Sequence, residues 1–393
     1  MAANEPSIRA AGGVTGIRRT ADSLPHAERL VKEATRYGPI SRMKLLLALF
    51  ARHGRIGQVL LWGIFGPPMY LFTRLCMWLD LVFYPKLRTL ELTRPVFILG
   101  HPRSGSTFLQ RAVHRSGKAT MFKTWELWFP SLVQRKLVRP VLQLLRLLDM
   151  DVLQGSEYGH EIRLDGVEED EGLFLHQLDS EMLTFVCPQS VTDREFGRIG
   201  LRFGRLSDRQ TRRSIRFYKA CLKRQVVWTG VERPVVKCNP SVFRIPWILE
   251  VFPDARFIYL YRHPQASIRS FLALNKRHVA PILSSWEERE FYRGKYRWSV
   301  DLFRAFCEFR SRLTEEQLLM LGFTELTEET ESTLRRVFAF ARIEPPAAYW
   351  HAVAATASSK RRHRNPSLSA FGVRPEEIEQ DLSFLQGHQL DTG

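Results

Sequence analysis

Cysteine is scarce in this chain of 393 residues. There are five cysteines, they lie far apart, and no two have the Cys-x-x-Cys spacing of a zinc or redox site. This scarcity argues against a zinc site and against a disulfide framework, and it is typical of a reducing, cytoplasmic compartment. The first 18 residues lack the apolar run of a secretory signal, so we expect no export signal there.

Acidic residues are in the minority. The chain has 41 Asp and Glu residues against 58 Lys and Arg, which gives a formal net charge of +17. A basic surplus of this size favours anionic partners, such as a nucleotide, a nucleic acid or an acidic membrane surface. At 45% hydrophobic residues the chain can bury a large core, and its length suits one large domain or two ordinary ones.

Long hydrophobic stretches are missing, apart from one segment between Val59 and Tyr84. Its uncharged part, Val59 to Thr73, covers 15 residues and is interrupted by Pro67 and Pro68, whereas a membrane-spanning helix needs about 20 apolar residues. Three interpretations stay open: helices packed on the domain, a membrane-spanning segment, and an interfacial anchor, which the aromatic residues of the segment favour. The last of these predicts peripheral contact with an anionic membrane surface.

Short apolar strands alternate with helical patterns after residue 95. This alternation is typical of parallel β–α units, and it predicts an α/β fold with three layers and a central parallel sheet. We divide the chain into a helical extension, residues 1–94, and an α/β domain, residues 95–393. An apolar helix over residues 130–152 is expected to pack on the domain and to be kinked or split by Pro140. The predicted strands are Val96–Leu99, Val235–Lys237, Arg256–Tyr261 and Leu318–Phe323.

A glycine-rich loop follows the first predicted strand. The strand stops at Gly100, the loop carries Arg103 and Gly105, and a helical pattern starts at Ser106. A strand, a glycine loop and a helix N-terminus form the geometry that binds a phosphate group. The spacing matches the P-loop of nucleotide hydrolases, but Ser106 stands where that motif has its lysine. The fold is therefore expected to be of the P-loop type, with a loop suited to a 5′-phosphate group rather than to triphosphate chemistry.

A second anion site is predicted at the end of another strand. Arg262 ends the strand Arg256–Tyr261, and Ser270 follows eight residues later, one to two turns into the next helix. An arginine at the carboxyl end of a strand lies where open α/β sheets bind ligands. Two separate sites favour a ligand with phosphates at two places.

These motifs resemble those of the sulfotransferases, above all the bacterial sulfotransferase family and the tyrosylprotein sulfotransferases. The resemblance covers roughly residues 95–375. It rests on several stretches in the family's order: the loop Pro102–Phe108, the segment Thr124–Pro130, the strand Val236–Pro240, the segment Phe252–Phe257, and the pair Arg262 and Ser270. Two departures are Phe323, where many relatives have tyrosine, and Cys238–Asn239, where serine is commoner.

The resemblance implies a sulfuryl donor, 3′-phosphoadenosine 5′-phosphosulfate (PAPS), and no metal. Lys237 corresponds to a lysine that stabilises the transition state. The basic segment that includes Lys360 and Arg361, followed by Phe371, resembles one that helps to hold the donor's 3′-phosphate end. The implied donor-binding residues are Arg103, Ser104, Gly105, Ser106, Thr107 and Phe108 for the 5′-phosphosulfate, and Arg262 and Ser270 for the 3′-phosphate.

Two residues compete as the general base that takes the acceptor's proton. Glu126 follows Arg103 by 23 residues, in the region where the related tyrosylprotein enzymes place a glutamate base. Its neighbours Trp125, Trp128 and Phe129 would partly desolvate it, which makes a carboxylate a stronger base. A structural carboxylate is the alternative interpretation. His160 is the rival, because cytosolic sulfotransferases use histidine.

The leading hypothesis is a PAPS-dependent sulfotransferase for a hydroxyl acceptor, which would be a lipid, a carbohydrate or another small molecule. A P-loop kinase or nucleotide hydrolase is the alternative enzyme, and it lacks the lysine at position 106. A basic membrane-binding protein without enzymatic activity is the third interpretation, resting on residues 198–224 and 360–364. The first of these segments has the pattern of an amphipathic helix, so no nucleic acid is expected. The sequence carries no signal for an oligomeric state.

Overall fold

A computed structural model of the protein describes residues 39–150, 152–154, 162–192, 208–279, 281–356 and 366–386. Its centre is a sheet of four parallel strands in the order β4-β1-β5-β6. A short antiparallel pair, β2 and β3, lies apart from it. The strands are β1 Val96–Gly100, β2 Val152–Gln154, β3 Ile162–Arg163, β4 Val235–Lys237, β5 Arg256–Tyr261 and β6 Leu318–Gly322.

Helices connect the strands and precede them. In the extension they are α1 Pro39–Arg52, α2 Ile56–Phe83 and α3 Lys86–Thr89. Between β1 and β4 they are α4 Ser106–Arg115, α5 Thr124–Trp128, α6 Leu132–Leu147, α7 Glu171–Phe174, α8 Leu183–Val186, α9 Gln189–Thr192 and α10 Asp208–Thr229. Later in the chain they are α11 Ile245–Val251, α12 Pro264–Val279, α13 Ser285–Arg310, α14 Phe323–Glu328, α15 Thr330–Ala341, α16 Ala347–Thr356 and α17 Pro375–Asp381.

Both faces of the central sheet are covered, which confirms the predicted three-layer α/β fold. Side chains alternate along a strand, so Phe97 and Leu99 of β1 join the core on one face, with residues of α10 and α13. Val96 and Ile98 join the core on the other face, with residues of α4 and α15. A parallel sheet that is buried on both sides explains why these strands are apolar throughout.

The described part of the N-terminal extension packs on the α/β domain. Leu46 and Phe50 of α1 form a buried cluster with Leu183 and Cys187, which lie between β3 and α10. The segment Val59–Tyr84 lies within one continuous helix, α2, because Pro67 and Pro68 stand inside it and do not end it. By length and composition, α2 is the one helix among the described residues that is apolar enough to cross a membrane.

The structure agrees only in part with the expectations for residues 130–152. Pro140 lies inside α6 and does not split it. Leu132 is buried and Leu145 packs on a core cluster, as expected. The apolar positions Leu137, Val141, Leu144 and Leu148 are exposed instead. Helical periodicity shows that such residues share a face, and it does not show what that face meets.

A buried carboxylate joins α2 to α6. Asp80 of α2 is fully buried and accepts hydrogen bonds from the backbone N–H of Leu132 at 3.1 Å and of Val133 at 2.9 Å, and from Ser131 Oγ at 3.0 Å. Arg224 Nε of α10 donates to Asp80 Oδ2 at 2.7 Å. One side chain therefore caps the N-terminus of α6 from another helix and neutralises a buried arginine.

Replacing Asp80 should be strongly destabilising. In Asp80→Asn the buried Arg224 loses its counter-charge and an amide group faces the N–H donors of α6, so we expect a loss of about 3–5 kcal/mol in the free energy of unfolding. Urea unfolding followed by circular dichroism measures it. The matched control is Glu331→Gln, which breaks an exposed pair with Arg335 and should cost less than about 1 kcal/mol. Equal losses in the two variants would contradict this role of Asp80.

Candidate active site

The glycine loop lies at the carboxyl end of β1, where the parallel strands end together. Gly100 has φ +151°, and a Cβ atom there would lie 2.4 Å from the backbone oxygen of Leu260 in β5. Gly105, with φ +96°, precedes α4, and a Cβ atom there would meet Phe323 at 3.1 Å. Arg103 also has a left-handed backbone, with φ +73°. The loop is therefore pressed against β5 and α14, and the backbone at Arg103 is strained.

The hydroxyl groups of the loop face several partners. Ser104 Oγ is buried and makes no hydrogen bond within the described residues. Ser106 Oγ accepts from Asn239 Nδ2 at 3.2 Å, and Thr107 Oγ1 accepts from Lys237 Nζ at 3.0 Å. Phe108 is 48% exposed. A helix N-terminus with an unused hydroxyl donor beside it suits an anion.

The two anion sites predicted from the sequence lie side by side. Arg103 Nε donates to Ser270 Oγ at 3.1 Å, and Arg262 Nη1 donates to the backbone oxygen of Arg103 at 3.0 Å. The Arg262 guanidinium also stacks on the Phe323 ring, 4.3 Å from its centroid. The fold thus brings Arg103 next to Arg262 and Ser270, which follow it by 159 and 167 residues.

The charges that act on these two arginines are positive. Burial lowers the pKa of Arg103, and the charge of Arg277 lowers it further. Burial likewise lowers the pKa of Arg262, with Arg103 and Arg269 adding to the effect. Partly buried positive charges that repel one another are relieved when an anion binds between them.

A cavity of about 450 Å³ opens beside Arg262, at the carboxyl ends of β5 and β6. This is the edge of the sheet where α/β folds bind their ligands, and the volume is within the range of small-molecule sites. Its lining consists of Tyr261, Arg262, His263, Ala266, Gly322, Phe323, Thr324 and Glu325.

Lys237 ends β4 next to the loop, as predicted. Its Nζ atom lies 3.1 Å from Glu169 Oε2 and 3.0 Å from Thr107 Oγ1. The backbone N–H of Asn239 donates to Glu169 Oε1 at 2.7 Å, and that of Asp170 donates to the backbone oxygen of Lys237 at 2.8 Å. The Lys237 side chain is 4% exposed and that of Glu169 is 16% exposed. An ammonium group and a carboxylate that reaches solvent therefore stand together beside the anion loop.

Glu126 lies in a different setting. It is 2% exposed, and its Oε2 atom accepts hydrogen bonds from the Lys123 backbone N–H and from Gln225 Nε2, both at 2.8 Å. Its Oε1 atom accepts from Trp228 Nε1 at 2.9 Å. These are the contacts of a helix-capping carboxylate, the structural alternative given above. Its role as a base stays a prediction.

His101 lies inside the loop and is buried. Its Nδ1 atom is 2.7 Å from the Pro102 carbonyl oxygen, to which it donates as the neutral ring, and its ring stacks on Phe303 with centroids 5.0 Å apart. Burial lowers the pKa of His101 to about 3, so the ring is neutral at pH 7. The contacts of His101 are those of a packing residue.

Three predicted site residues, His160, Lys360 and Arg361, lie outside the described residues. Their roles stay predictions.

Comparison with known proteins shows the family of the chain. The model of the sulfotransferase family (Sulfotransfer_3) matches residues 95–346. The chain belongs to the sulfotransferase family. Its relatives include the omega-hydroxy-beta-dihydromenaquinone-9 sulfotransferases Stf3 of Mycobacterium bovis and Mycobacterium tuberculosis, each 26% identical over 278 residues, 67% of this chain. The match covers 66% of each relative's length.

Solved sulfotransferase structures share the fold. STF9 of Mycobacterium avium superposes with a TM-score of 0.65 at 18% identity, covering 81% of this chain and 82% of that one. STF1 of Mycobacterium tuberculosis superposes with a TM-score of 0.63 at 16% identity, covering 91% of each chain.

Glu169 and Asn239 are the residues of this sulfotransferase-family site that sequence reasoning missed. Glu169 belongs to the acidic run Glu168–Glu171, and Asn239 follows β4 directly. The sequence did carry a signal for Glu169, because a run of four carboxylates is costly to bury unless each has a partner. The partners, Lys237 and the Asn239 backbone, come into range only through the fold.

A side chain at position 100 should disrupt the loop. In Gly100→Ala the Cβ atom would overlap a backbone oxygen of β5, so we expect a loss of about 1–3 kcal/mol in the free energy of unfolding. Gly57→Ala is the control, since no atom lies within 4 Å of that Cβ position and alanine favours the helix by about 0.5–1 kcal/mol. Urea unfolding of both variants measures the difference. Unchanged stability of Gly100→Ala would contradict the close approach of β1 and β5.

Proposed function

We propose that the protein transfers a sulfuryl group from PAPS to a hydroxyl acceptor by in-line displacement. The observation that carries this proposal is the pairing of Arg103 with Ser270 and of Arg262 with the loop backbone, beside the contact of Lys237 with Thr107. Arg103, Arg262 and Ser270 suit a ligand with two separate phosphate groups. Lys237 supplies a positive charge at the end of the loop where the reacting group of such a ligand would lie.

The residues present fit the donor. The loop N–H groups, the unused Ser104 hydroxyl and Arg103 would hold its 5′-phosphosulfate, because they offer donors around a helix N-terminus. Arg262 and Ser270 would hold its 3′-phosphate, and the neighbouring cavity offers room for an adenosine group. When bound, PAPS supplies a sulfuryl group that is already activated by its phosphate leaving group.

Lys237 has the position to stabilise charge during transfer. Its ammonium group is nearly buried, with 4% of the side chain exposed, so its field is screened less by water than that of a surface lysine. It already contacts Thr107 at the start of α4. Negative charge that develops on an oxygen at this helix N-terminus is therefore stabilised by both the ammonium group and the helix N–H groups.

Among the described carboxylates at the site, Glu169 is the one that we propose as the general base. It lies 3.1 Å from Lys237 Nζ and is partly exposed, so an acceptor hydroxyl can reach it. Both carboxylates have partners on each oxygen, which for Glu169 are Lys237 and the Asn239 backbone N–H. Their exposure differs, because Glu126 is 2% exposed and the Glu169 side chain is 16% exposed. A base must lie within hydrogen-bond reach of the proton that it removes, and the position of Glu169 meets this condition better.

The acceptor that we propose is a hydroxyl group on an apolar molecule. The related Stf3 enzymes are named for an omega-hydroxylated dihydromenaquinone. In this chain, Phe108 at the loop is 48% exposed. An exposed aromatic side chain beside a polar site is suited to binding an apolar group.

Donor binding tests the function. Titration calorimetry without magnesium should show binding of 3′,5′-adenosine bisphosphate, and Arg262→Ala should weaken it roughly 10- to 150-fold, because a hydrogen bond to a charged group contributes about 1.5–3 kcal/mol. Arg304→Ala, which removes an exposed arginine paired with Asp301, is the control. Magnesium-dependent ATP turnover without binding of the bisphosphate would contradict the proposal and favour a kinase or hydrolase.

The general base is tested by two matched variants. Glu169→Gln should keep donor affinity and lower turnover roughly 10²- to 10⁴-fold. Glu126→Gln should lower stability, since an amide group then faces the donors Gln225 and Trp228, and should keep the turnover of the folded enzyme. Sulfate transfer from labelled PAPS measures both.

The outcomes of that pair of variants separate the candidates. Loss of turnover in Glu126→Gln with an active Glu169→Gln would return the base to Glu126. Full activity in both variants would move it to His160.

A further inference from the structure

Exposed apolar side chains are concentrated in one part of the molecule. Among the described residues, 23 large apolar side chains are exposed, and 18 of these belong to α2 or to the segment 137–150, which contains most of α6. Monomeric soluble proteins rarely expose apolar patches larger than a few hundred Å². We call the exposed faces of these two segments the apolar platform. On α2 its members are Ile56, Leu60, Leu61, Ile64, Phe65, Met69, Leu71, Phe72, Leu75, Trp78, Val82 and Phe83, and on the second segment Leu137, Val141, Leu144, Leu147, Leu148 and Met150.

The α2 helix is apolar on two opposite sides. Along one side Val59 and Trp62 pack against the cluster that contains α1, and Thr73, Met77 and Asp80 are buried further along the helix. The spacing of these residues follows a helical stripe over most of the length of α2. One side of α2 therefore contacts the protein near its start and over its last third. The other side is the exposed one.

The α6 helix presents the same kind of face. Leu137, Val141, Leu144 and Leu148 recur at intervals of three and four residues, which places them on one side of a helix, and all four are exposed. No core cluster of the described residues includes any of these four side chains. Packing on the domain therefore does not explain why this stripe is apolar.

The two helices are held rigidly to each other. Asp80 of α2 caps the first turn of α6 through Ser131 and two backbone N–H groups. Gln134 Nε2 donates to Thr73 Oγ1 at 3.0 Å, and Lys136 Nζ lies 5.3 Å from the centre of the Tyr84 ring. Their exposed faces are therefore held in a fixed position relative to each other.

Basic residues outnumber acidic ones around the platform. From residue 39 to residue 90 the chain has seven Lys and Arg residues, and its one acidic residue, Asp80, is buried and paired with Arg224. In α6, Lys136 and Arg139 are exposed and Arg146 is paired with Asp165 at 2.8 Å, and the segment 137–150 has one acidic residue, Asp149. An apolar surface framed by basic residues is complementary to an anionic lipid bilayer, which offers apolar chains below negatively charged headgroups.

We propose that the apolar platform seats the protein on the surface of an anionic lipid bilayer, with α2 and α6 lying in the plane of the headgroups. Because α6 adds its own exposed apolar face, this surface differs from an anchor made of α2 alone. Apolar side chains enter the boundary of the acyl chains, and the basic residues contact the headgroups. The proposal is independent of the reaction proposed above and can hold whatever the protein catalyses.

Vesicle flotation of the full chain tests the proposal. The protein should float with vesicles of phosphatidylcholine and phosphatidylglycerol, bind vesicles of phosphatidylcholine alone more weakly, and lose part of its binding at high salt. Ile64→Ser with Leu71→Ser on α2, and Leu137→Ser with Leu144→Ser on α6, should each lower the partition coefficient at least about tenfold. Ile282→Ser, an exposed apolar residue outside the platform, should leave it unchanged.

Two results would overturn the proposal. One is wild-type protein that does not float with anionic vesicles. The other is an α6 variant that floats as well as the wild type, which would leave α2 as a single anchor. Circular dichroism of each variant shows that it is folded, as expected for substitutions of exposed residues. The competing occupant of the platform is a second copy of the chain, and sedimentation velocity tests for it. A dimer that the same substitutions dissociate, in a protein that does not bind vesicles, would assign the platform to this second copy.

Discussion

The close approach of β1 and β5 is the constraint on which the site depends. At Gly100 the two strands leave no room for a side chain, since a Cβ atom would lie 2.4 Å from the Leu260 oxygen. Parallel strands end at the same edge of a sheet, so this contact also aligns the loop after β1 with Arg262 after β5. The hydrogen bond from Arg262 to the Arg103 backbone then follows from the sheet itself. A wider spacing of the strands would separate the two arginines and leave two weak sites instead of one.

The electrostatics of the site divide it into two halves. Arg103 and Arg262 lie on the β5 side, and their pKa values are lowered first by burial and then by other arginines. A bound anion would neutralise these charges. On the β4 side Lys237 is paired with Glu169. This arrangement suits the reaction proposed above, in which a donor with two phosphate groups would bind at one end and the acceptor hydroxyl would lose its proton beside the ammonium group and the carboxylate at the other.

The same chain also carries a surface that its own core does not use. Asp80 explains why the fold tolerates this exposed apolar surface. Its single buried carboxylate fixes α2, α6 and α10 to one another. The two helices therefore keep their place although their apolar stripes do not pack on the domain. The stability of these helices comes from their inner sides and their caps. Their outer sides are free to serve a different partner, and the absence of exposed acidic residues from them is what an anionic partner requires.

Local patterns determined much of this protein. The strands Val235–Lys237 and Arg256–Tyr261, the loop and the arginines at the strand ends follow from short-range signals, because a buried strand, a glycine turn and a helix start are each encoded by adjacent residues. The tertiary structure decided the strand order, the pairing of Glu169 with Lys237 and the burial of Glu126 among Gln225 and Trp228. It also decided that the α6 stripe faces outwards. Periodicity gives each residue a side of its helix or strand, but which sides meet is set by contacts between segments far apart in sequence, and these exist only in the folded chain.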